Sequence, residues 1–388
     1  MRSTAARKGR GTDRRRQYNN SMSTRRDDID AKQAILGRIS EELGCEAAVL
    51  FVPVHVAWFT GGLNVRGLIA DGERPGIYTN GRQRWLLASN IDSQRFFDED
   101  LDGLGFQLKE WHWASGRGPL LSELVGGKKV SADRPFQNTP LLNEKLRPQL
   151  APLMESDRER YRALGRILAH ALEATARTFN EGDTEEEVAG QLAHRIYHKG
   201  ADAVSLSVIG GLGGMKYRRA GFTSARIEQI CILQATASKG GLNVTAARTV
   251  SIGSPSPEYR IDFDMACKVG AVHRSECVPG GTVSGMIDSS YGLLKGTPYE
   301  HDWRLHQPGY TAGWFQADEL RKAGIDEPFV LHQPLTLQVR LGRAAIVGTF
   351  LVNPEGHEAI TSPTGWPFKR IGALNAMHDI PDILVREG

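Results

Sequence analysis

The hydrophobic pattern divides the chain into a stretch of short strands followed by a stretch of long helices and strands. Residues 47–52 are continuously apolar, which is typical of a strand covered on both faces. Residues 55–62 alternate and close on two glycines, which predicts another extended segment. With a helix near 92–97, these runs predict an α/β unit ending near residue 150. Its further strands are predicted at 76–79, 84–89 and 129–131.

Beyond residue 154 the apolar positions recur at the spacing of amphipathic helices. The first helix is predicted at 154–179. Thr184 followed by Glu187 has the form of a capping box, which predicts a second helix directly after it. A third helical block is predicted at 258–277. Strands are predicted at 203–209, 230–237, 248–252, 336–340 and 345–352.

A weak internal repeat lies within this second stretch. The segment EGDT at 181–184 recurs as PGGT at 279–282, and each is followed by a helical pattern and a Lys-Gly pair. The repeat predicts two similar α/β halves packed around a shared sheet, with a site between them.

Length and composition set the domain organisation. The 388 residues, 40% hydrophobic and 24% charged, are ordinary for a protein of two globular domains. We expect domains at 34–150 and 151–388, preceded by a leader at 1–33. The four cysteines lack CxxC spacing and no apolar run reaches 18 residues, which favours a cytoplasmic protein with reduced thiols and no membrane partner.

The charge is unevenly distributed. Residues 1–33 contain ten Lys or Arg against four Asp or Glu, so the rest of the chain has a net charge of −3. The leader is expected to be disordered, and it has no apolar run typical of a secretory signal. Met1 and Met22 are both open as the start. The negative body argues against nucleic acid as a partner.

The loop HQPGYTAG at 306–313 has the form of a metal-site turn with one ligand missing. His306 is followed by two glycines that relieve the backbone, while Tyr310 stands where a second imidazole would complete the site. A phenol is a poor ligand for a divalent metal at neutral pH. The alternative is a Gly-rich loop with a hydrogen-bonded histidine.

The order of features from residue 44 to 361 resembles the creatinase, Xaa-Pro aminopeptidase and methionine aminopeptidase superfamily. The resemblance is carried by AVLFVPVHVAWFTGG, PGGTVSGMID and LVNPEGHEAIT. It implies an α+β fold class, with a pita-bread C-terminal domain and a smaller creatinase-like α/β domain before it. Metal-dependent members of the superfamily hold two metal ions with two Asp, one His and two Glu.

The resemblance places other residue types at these five ligand positions. They are Gln234, Thr245, Tyr310, a residue near Arg340 and one near Val347. No Asp or Glu lies between residues 228 and 258 or in 334–353, so a shift of register does not restore the carboxylates. We therefore expect no metal and no other cofactor. A further histidine that the family uses in proton transfer falls in a segment that contains Tyr217 instead.

Two functions follow from this resemblance. The first is a metal-free pseudopeptidase that binds a small molecule or a peptide or serves as a scaffold. The second is a metal-independent hydrolase, like creatinase, that cleaves a C–N bond with His306 as acid or base. In it Tyr310 would donate a proton or stabilise an oxyanion, and Arg340 would clamp a substrate carboxylate. The resemblance also implies a homodimer, with Arg66 reaching into the pocket of a second protomer.

Overall fold

The computed structural model of the chain describes residues 5–68, 70–305, 307–314 and 325–387, with the side chains of 5–22, 212–213 and 303–304 left out of the description. The chain forms two compact units. Unit 1 extends to Leu150 and includes Met154–Glu159, while unit 2 comprises Ala151–Leu153 and Arg160–Gly388. Within the described ranges, no helix has the length and apolar character needed to cross a membrane.

Unit 1 is built on a five-stranded sheet with the order β4-β3-β2-β1-β5. β1 pairs antiparallel with β2 and parallel with β5. All four residues of β1 are buried, in agreement with the continuous apolar run. The elements are α1 (Ala5–Glu42), β1 (Ala47–Leu50), α2 (Pro53–Thr60), β2 (Gly76–Thr79), β3 (Arg84–Ser89), α3 (Ser93–Phe96), β4 (Gln107–Trp111), α4 (Gly118–Val125), β5 (Val130–Ala132) and α5 (Asn143–Leu150).

The extended segment expected at 55–62 is wrong, because the chain forms helix α2 there. Pro53 lies in the first turn, where its missing N–H costs nothing and its fixed φ suits a helix. Gly61 ends the helix in the left-handed conformation at φ 65°. Glycine and proline therefore mark the two ends of a buried helix.

The predicted leader at 1–33 overlaps helix α1. Ile29 and Lys32 of this helix are fully buried in unit 1. The Lys32 ammonium lies 2.8 Å from the Asp157 carboxylate, and both side chains are buried. The ordered packing of unit 1 therefore begins before the expected boundary at residue 34, because helix α1 already buries side chains ahead of that residue.

Unit 2 contains two four-stranded sheets, with the orders β15-β8-β7-β6 and β12-β11-β10-β9, and a two-stranded sheet β13-β14. The helices are α6 (Glu155–Thr178), α7 (Glu185–His198), α8 (Leu212–Met215), α9 (Pro257–Ser275) and α10 (Val283–Leu294). The strands are β6 (Asp202–Ile209), β7 (Ile230–Lys239), β8 (Leu242–Ile252), β9 (Gly309–Thr311), β10 (Pro334–Leu341), β11 (Ala344–Asn353), β12 (Gly356–Ala359), β13 (Phe368–Ala373), β14 (Ala376–Pro381) and β15 (Leu384–Arg386).

The two halves of the internal repeat begin their helices in the same way. Thr184 caps α7 by accepting from the Glu187 amide, and the Glu187 side chain completes the capping box. Thr282 caps α10 by accepting from the Gly285 amide. The expected shared sheet is instead two sheets that meet where β8 lies beside β11.

One threonine joins these two sheets. The Thr349 hydroxyl accepts from the Thr245 amide at 2.9 Å and donates to the Thr245 carbonyl at 2.8 Å. A side chain thus supplies the two hydrogen bonds that a neighbouring strand would otherwise make. At the C-terminus, β15 pairs parallel with β8, so the end of the chain packs back on unit 2.

Candidate functional site

A pocket of about 500 Å³ opens in unit 2 where strands of the two four-stranded sheets converge. This is within the size range of small-molecule sites, roughly 300–1,000 Å³. Alternate residues of β7 and β10 face the pocket because side chains of a strand alternate between its two faces. The lining residues are Val204, Ser205, Ser207, Arg218, Arg219, Ala220, Gln234, Thr236, Asn243, Thr245, Leu305, Gln307, Tyr310, Ala312, Thr336, Gln338 and Arg340.

One end of the pocket is a network of hydroxyl groups. Thr236 and Thr245 are directly opposite on β7 and β8, and their hydroxyl oxygens are 2.9 Å apart. The Tyr310 hydroxyl donates to the Thr245 oxygen at 3.1 Å. Burial raises the pKa of Tyr310, so the phenol stays protonated at neutral pH and acts as a neutral donor. We call this group the hydroxyl end.

The other end of the pocket is cationic. Arg340 donates from Nη2 to Oε1 of Gln234 at 3.0 Å. Within the described part of the chain, no carboxylate lies within 4.0 Å of the Arg340 guanidinium. Burial, with a smaller effect of the nearby Arg218, lowers the pKa of Arg340. An arginine nevertheless keeps its charge at neutral pH.

Two further arginines surround Arg340. Arg218 forms a 2.7 Å ion pair with Asp302 and donates to the Arg340 carbonyl at 2.8 Å. Arg219 is exposed and donates to the Gln307 side chain at 3.4 Å. The carboxylate of Asp302 therefore balances one of the three positive charges.

Ser207 stands beside this cationic end. It is directly opposite Gln234 on the neighbouring strand, and paired residues of an antiparallel sheet face the same side. The residue is 7% exposed, and its hydroxyl has no hydrogen-bond partner among the described residues. Buried hydroxyls are normally satisfied, so this one requires an explanation. We call Ser207, Gln234 and Arg340 the donor end.

The structure brings together four of the residues singled out in the sequence. Gln234, Thr245, Tyr310 and Arg340 all line the pocket and are linked by hydrogen bonds within its two ends. His306 lies outside the described residues, so its predicted role stays a prediction.

Three other predicted residues do not line the pocket. Val347 is buried on β11 and lines a separate small cavity. Tyr217 is 65% exposed, and its neighbours Arg218 and Arg219 reach the pocket in its place. Arg66 is an exposed residue of unit 1, and its contribution to a second protomer stays a prediction.

The strand register places Val347 opposite a residue that lines the pocket. Val347 on β11 is directly opposite Gln338 on β10, and Arg340 is opposite Ala345. Gln338, and not Arg340, is therefore the pocket residue that pairs with Val347. The sequence gives no signal for this, because pairing between strands decides it.

Ser207, Arg218 and Arg219 are among the pocket residues that sequence reasoning missed. The two arginines belong to the segment MKYRRAGF, where the sequence does not reveal which side chain turns inward. Ser207 lies on an ordinary strand pattern. Among the described residues, no group of three or more His, Cys, Asp or Glu could hold a metal ion.

Comparisons with known proteins agree with this architecture. Residues 159–291 match the model of metallopeptidase family M24. A prolidase from Pyrococcus furiosus has a TM-score of 0.70 and 16% identity, over 85% of this chain and 100% of that chain. An X-Pro aminopeptidase from Thermotoga maritima has a TM-score of 0.70 and 16% identity, over 89% and 99%.

A third similar structure comes from a protein of another kind. The N-terminal domain of FACT complex subunit SPT16 from Eremothecium gossypii has a TM-score of 0.62 and 11% identity, over 87% of this chain and 97% of that chain. A comparison with curated proteins gives no significant match. The resemblance to the creatinase and aminopeptidase superfamily is confirmed, and with it the α+β pita-bread fold preceded by an α/β unit.

Proposed function

We propose that this chain, which has the fold of the creatinase and aminopeptidase superfamily, is a metal-free pseudopeptidase whose pocket binds a small molecule or a peptide. The observation that carries the proposal is the chemistry of the pocket lining. Its described residues offer hydroxyl, amide and guanidinium groups and no carboxylate. Such a lining binds polar ligands by hydrogen bonds.

The lining does not fit a pair of divalent metal ions. Hard cations require charged oxygen ligands to offset their charge. The Gln234 oxygen already accepts from a guanidinium, and the Arg340 charge would repel a cation at this end. At the hydroxyl end, Tyr310 is neutral because burial raises its pKa. Neither end therefore supplies the anionic donors that two metals need.

A binding role is compatible with the similar structures. Two of them are named as peptidases, whereas the third is named as a subunit of a complex. The fold therefore occurs both in proteins named as peptidases and in a protein named as a subunit of a complex, and the pocket chemistry of this chain supports the binding role.

Metal analysis of the purified full-length protein tests the proposal. We expect manganese, iron, cobalt and zinc each to be far below one equivalent after gel filtration, with the column buffer as blank. Addition of each metal should leave the melting temperature unchanged, because no site is stabilised by binding. A metal present at close to one or two equivalents would overturn the proposal.

A metal-independent hydrolase that cleaves a C–N bond is the second candidate. The observation that favours it is the Tyr310 hydroxyl, a protonated donor inside the pocket and 3.1 Å from Thr245. A donor at this position can protonate a leaving group or stabilise an oxyanion.

A substrate screen separates the two functions. Amides, amidino compounds and small carboxylates are incubated with the wild type, Tyr310→Phe and His306→Ala. Turnover by the wild type that both variants lose would establish the hydrolase. Binding without turnover would support the pseudopeptidase.

A further inference from the structure

The donor end presents hydrogen-bond donors and few acceptors. Arginine only donates, so the Gln234 atom that faces Arg340 must be the amide oxygen. This leaves the Gln234 NH₂ group to point elsewhere, and the hydrogen bond to Arg340 is the one described for this side chain. The Ser207 hydroxyl on the opposite strand is also free to donate. Three neighbouring side chains thus present N–H or O–H groups to one part of the pocket.

The charge at this end is uncompensated. Arg218 pairs with Asp302, and Arg343, just beyond the end of β10, pairs with Asp262 at 3.0 Å. The Arg340 side chain has only a neutral amide as its described hydrogen-bond partner. A half-buried guanidinium without a counter-ion is unfavourable, because burial weakens its hydration.

A buried serine adds an independent observation. Ser207 is more than nine-tenths buried, lines the pocket and has no described hydrogen-bond partner. A serine that served only packing would be replaced by alanine at no cost, whereas an unsatisfied hydroxyl costs free energy. Because Ser207 lies opposite Gln234, which accepts from Arg340, all three side chains can contact the same bound group.

We infer, on the basis of the proposed binding function, that the pocket takes an oxyanion ligand. The ligand carries a carboxylate or phosphate group whose oxygens accept from Arg340, Gln234 and Ser207. The remainder of the ligand extends toward the hydroxyl end, where Thr236 and Tyr310 contact polar groups. Oxyanions match this donor set because each oxygen accepts several hydrogen bonds and its charge balances the guanidinium.

Calorimetric titration of the full-length wild type tests the inference. The probes are acetate, N-acetylglycine and inorganic phosphate, with acetamide and ethylammonium as neutral and cationic comparisons, in a buffer without phosphate, sulfate or carboxylate. Concentrations extend to about 10 mM, which covers millimolar dissociation constants. We expect at least one anion to bind and neither comparison to bind. Preference for N-acetylglycine or for phosphate identifies the source of the oxyanion.

Three variants locate the bound anion. Arg340→Met should weaken its binding about ten- to a hundredfold, as expected for loss of a hydrogen-bonded charge. Gln234→Glu supplies Arg340 with an internal carboxylate, so anion binding should fall to a similar extent while the melting temperature rises. Ser207→Ala should weaken binding several-fold. Arg343→Met removes an arginine that does not line the pocket and should leave the affinity unchanged.

The outcomes distinguish this inference from the proposed function. Anion binding that is equal in the wild type and Arg340→Met would overturn the inference, as would a wild type that binds none of the anions. A wild type that contains no metal and binds acetamide alone would overturn the inference and keep the metal-free pocket. Stoichiometric metal in the wild type would overturn the proposed function itself.

Discussion

Two arginines of unit 2 are held in opposite ways. Arg248 on β8 is almost fully buried, and its guanidinium donates to the Glu173 carboxylate at 3.2 Å and to the Thr361 carbonyl at 3.0 Å. Arg340 on β10 is half-buried and donates to an amide oxygen. The charge of Arg248 is therefore balanced by Glu173 on helix α6, whereas the charge of Arg340 has no described carboxylate partner.

The difference separates a charge that is balanced within the fold from one that is not. The Arg248 pair stabilises the arrangement only while both partners remain, because either one alone would be a buried charge without its closest counter-ion. Arg340 leaves no buried carboxylate behind when it is removed. The position of a carboxylate thus distinguishes the arginine whose charge the fold balances from the arginine whose charge it leaves unbalanced.

The largest expected effect is at the compensated arginine. Arg248→Met leaves Glu173 buried without its main counter-ion, and we expect a loss of about 3–5 kcal/mol in the free energy of unfolding. Urea denaturation of the full-length protein measures it. The double variant Arg248→Met with Glu173→Leu should recover much of this loss. A single variant as stable as the wild type would contradict the comparison.

A third buried arginine extends the comparison to pH. Arg274 donates to the Asp379 carbonyl and lies near His357 and His378, whose rings stack at 5.5 Å. Burial, then the charge of Arg274, lowers the pKa of His357 from 6.5 to about 4. Burial and Arg274 also lower the pKa of His378.

Acidification should therefore destabilise this region. Between about pH 6.5 and 4 the unfolded chain binds a proton at His357 that the native protein does not, so stability falls as the pH falls. The expected loss across this window is about 1–3 kcal/mol. Urea unfolding at pH 7, 5 and 4 measures it, and His357→Gln should flatten the dependence. An equal slope in the variant would show that other groups cause it.

The hydroxyl end should respond more weakly. Tyr310→Phe removes the hydrogen bond to Thr245, and we expect a loss of about 1 kcal/mol in the free energy of unfolding. Thr236 can still bond Thr245 at 2.9 Å, which limits the effect. Thermal unfolding measures the change. A loss as large as that of Arg248→Met would mean that the network supports the whole unit.

The smallest change in stability is expected at Arg340. Arg340→Met removes a charge that has no described carboxylate partner, so the free energy of unfolding should change by less than about 1 kcal/mol or rise. The same denaturation experiment, run beside Arg248→Met, gives the contrast directly. A severe loss would show that Arg340 stabilises the fold and would remove the basis of the comparison.

Sequence patterns predicted most of the framework because burial enforces periodicity. β2 and β3 have the expected ends, and the capping box at Thr184 begins α7. The pattern failed at α2, where proline and glycine outweighed an apparent alternation. The pattern also predicted that β8 begins at Arg248, whereas the strand begins at Leu242 and contains Thr245.

The site was predictable only in part. Gln234 and Thr245 come together because they lie two rungs apart on the adjacent strands β7 and β8, where Gln234 is opposite Ala247 and Thr245 is opposite Thr236. The position opposite Val347 depends on strand register, and register is a property of two segments rather than one. The free hydroxyl of Ser207 depends on what surrounds it, and no feature of the sequence distinguishes it from other strand serines.

The contacts between the two four-stranded sheets determine how easily the sheets can move relative to each other. The Thr349 hydroxyl bridges both backbone groups of Thr245, and a single backbone bridge joins Asn243 to Gly313, so isolated contacts and not a continuous ladder connect the two sheets. Thr349→Val would keep the shape of the side chain and remove both hydrogen bonds to the Thr245 backbone. Each sheet would retain its own backbone hydrogen bonds. Hydrogen exchange at the Thr245 amide would accelerate, and its rate would measure how easily the two sheets move relative to each other.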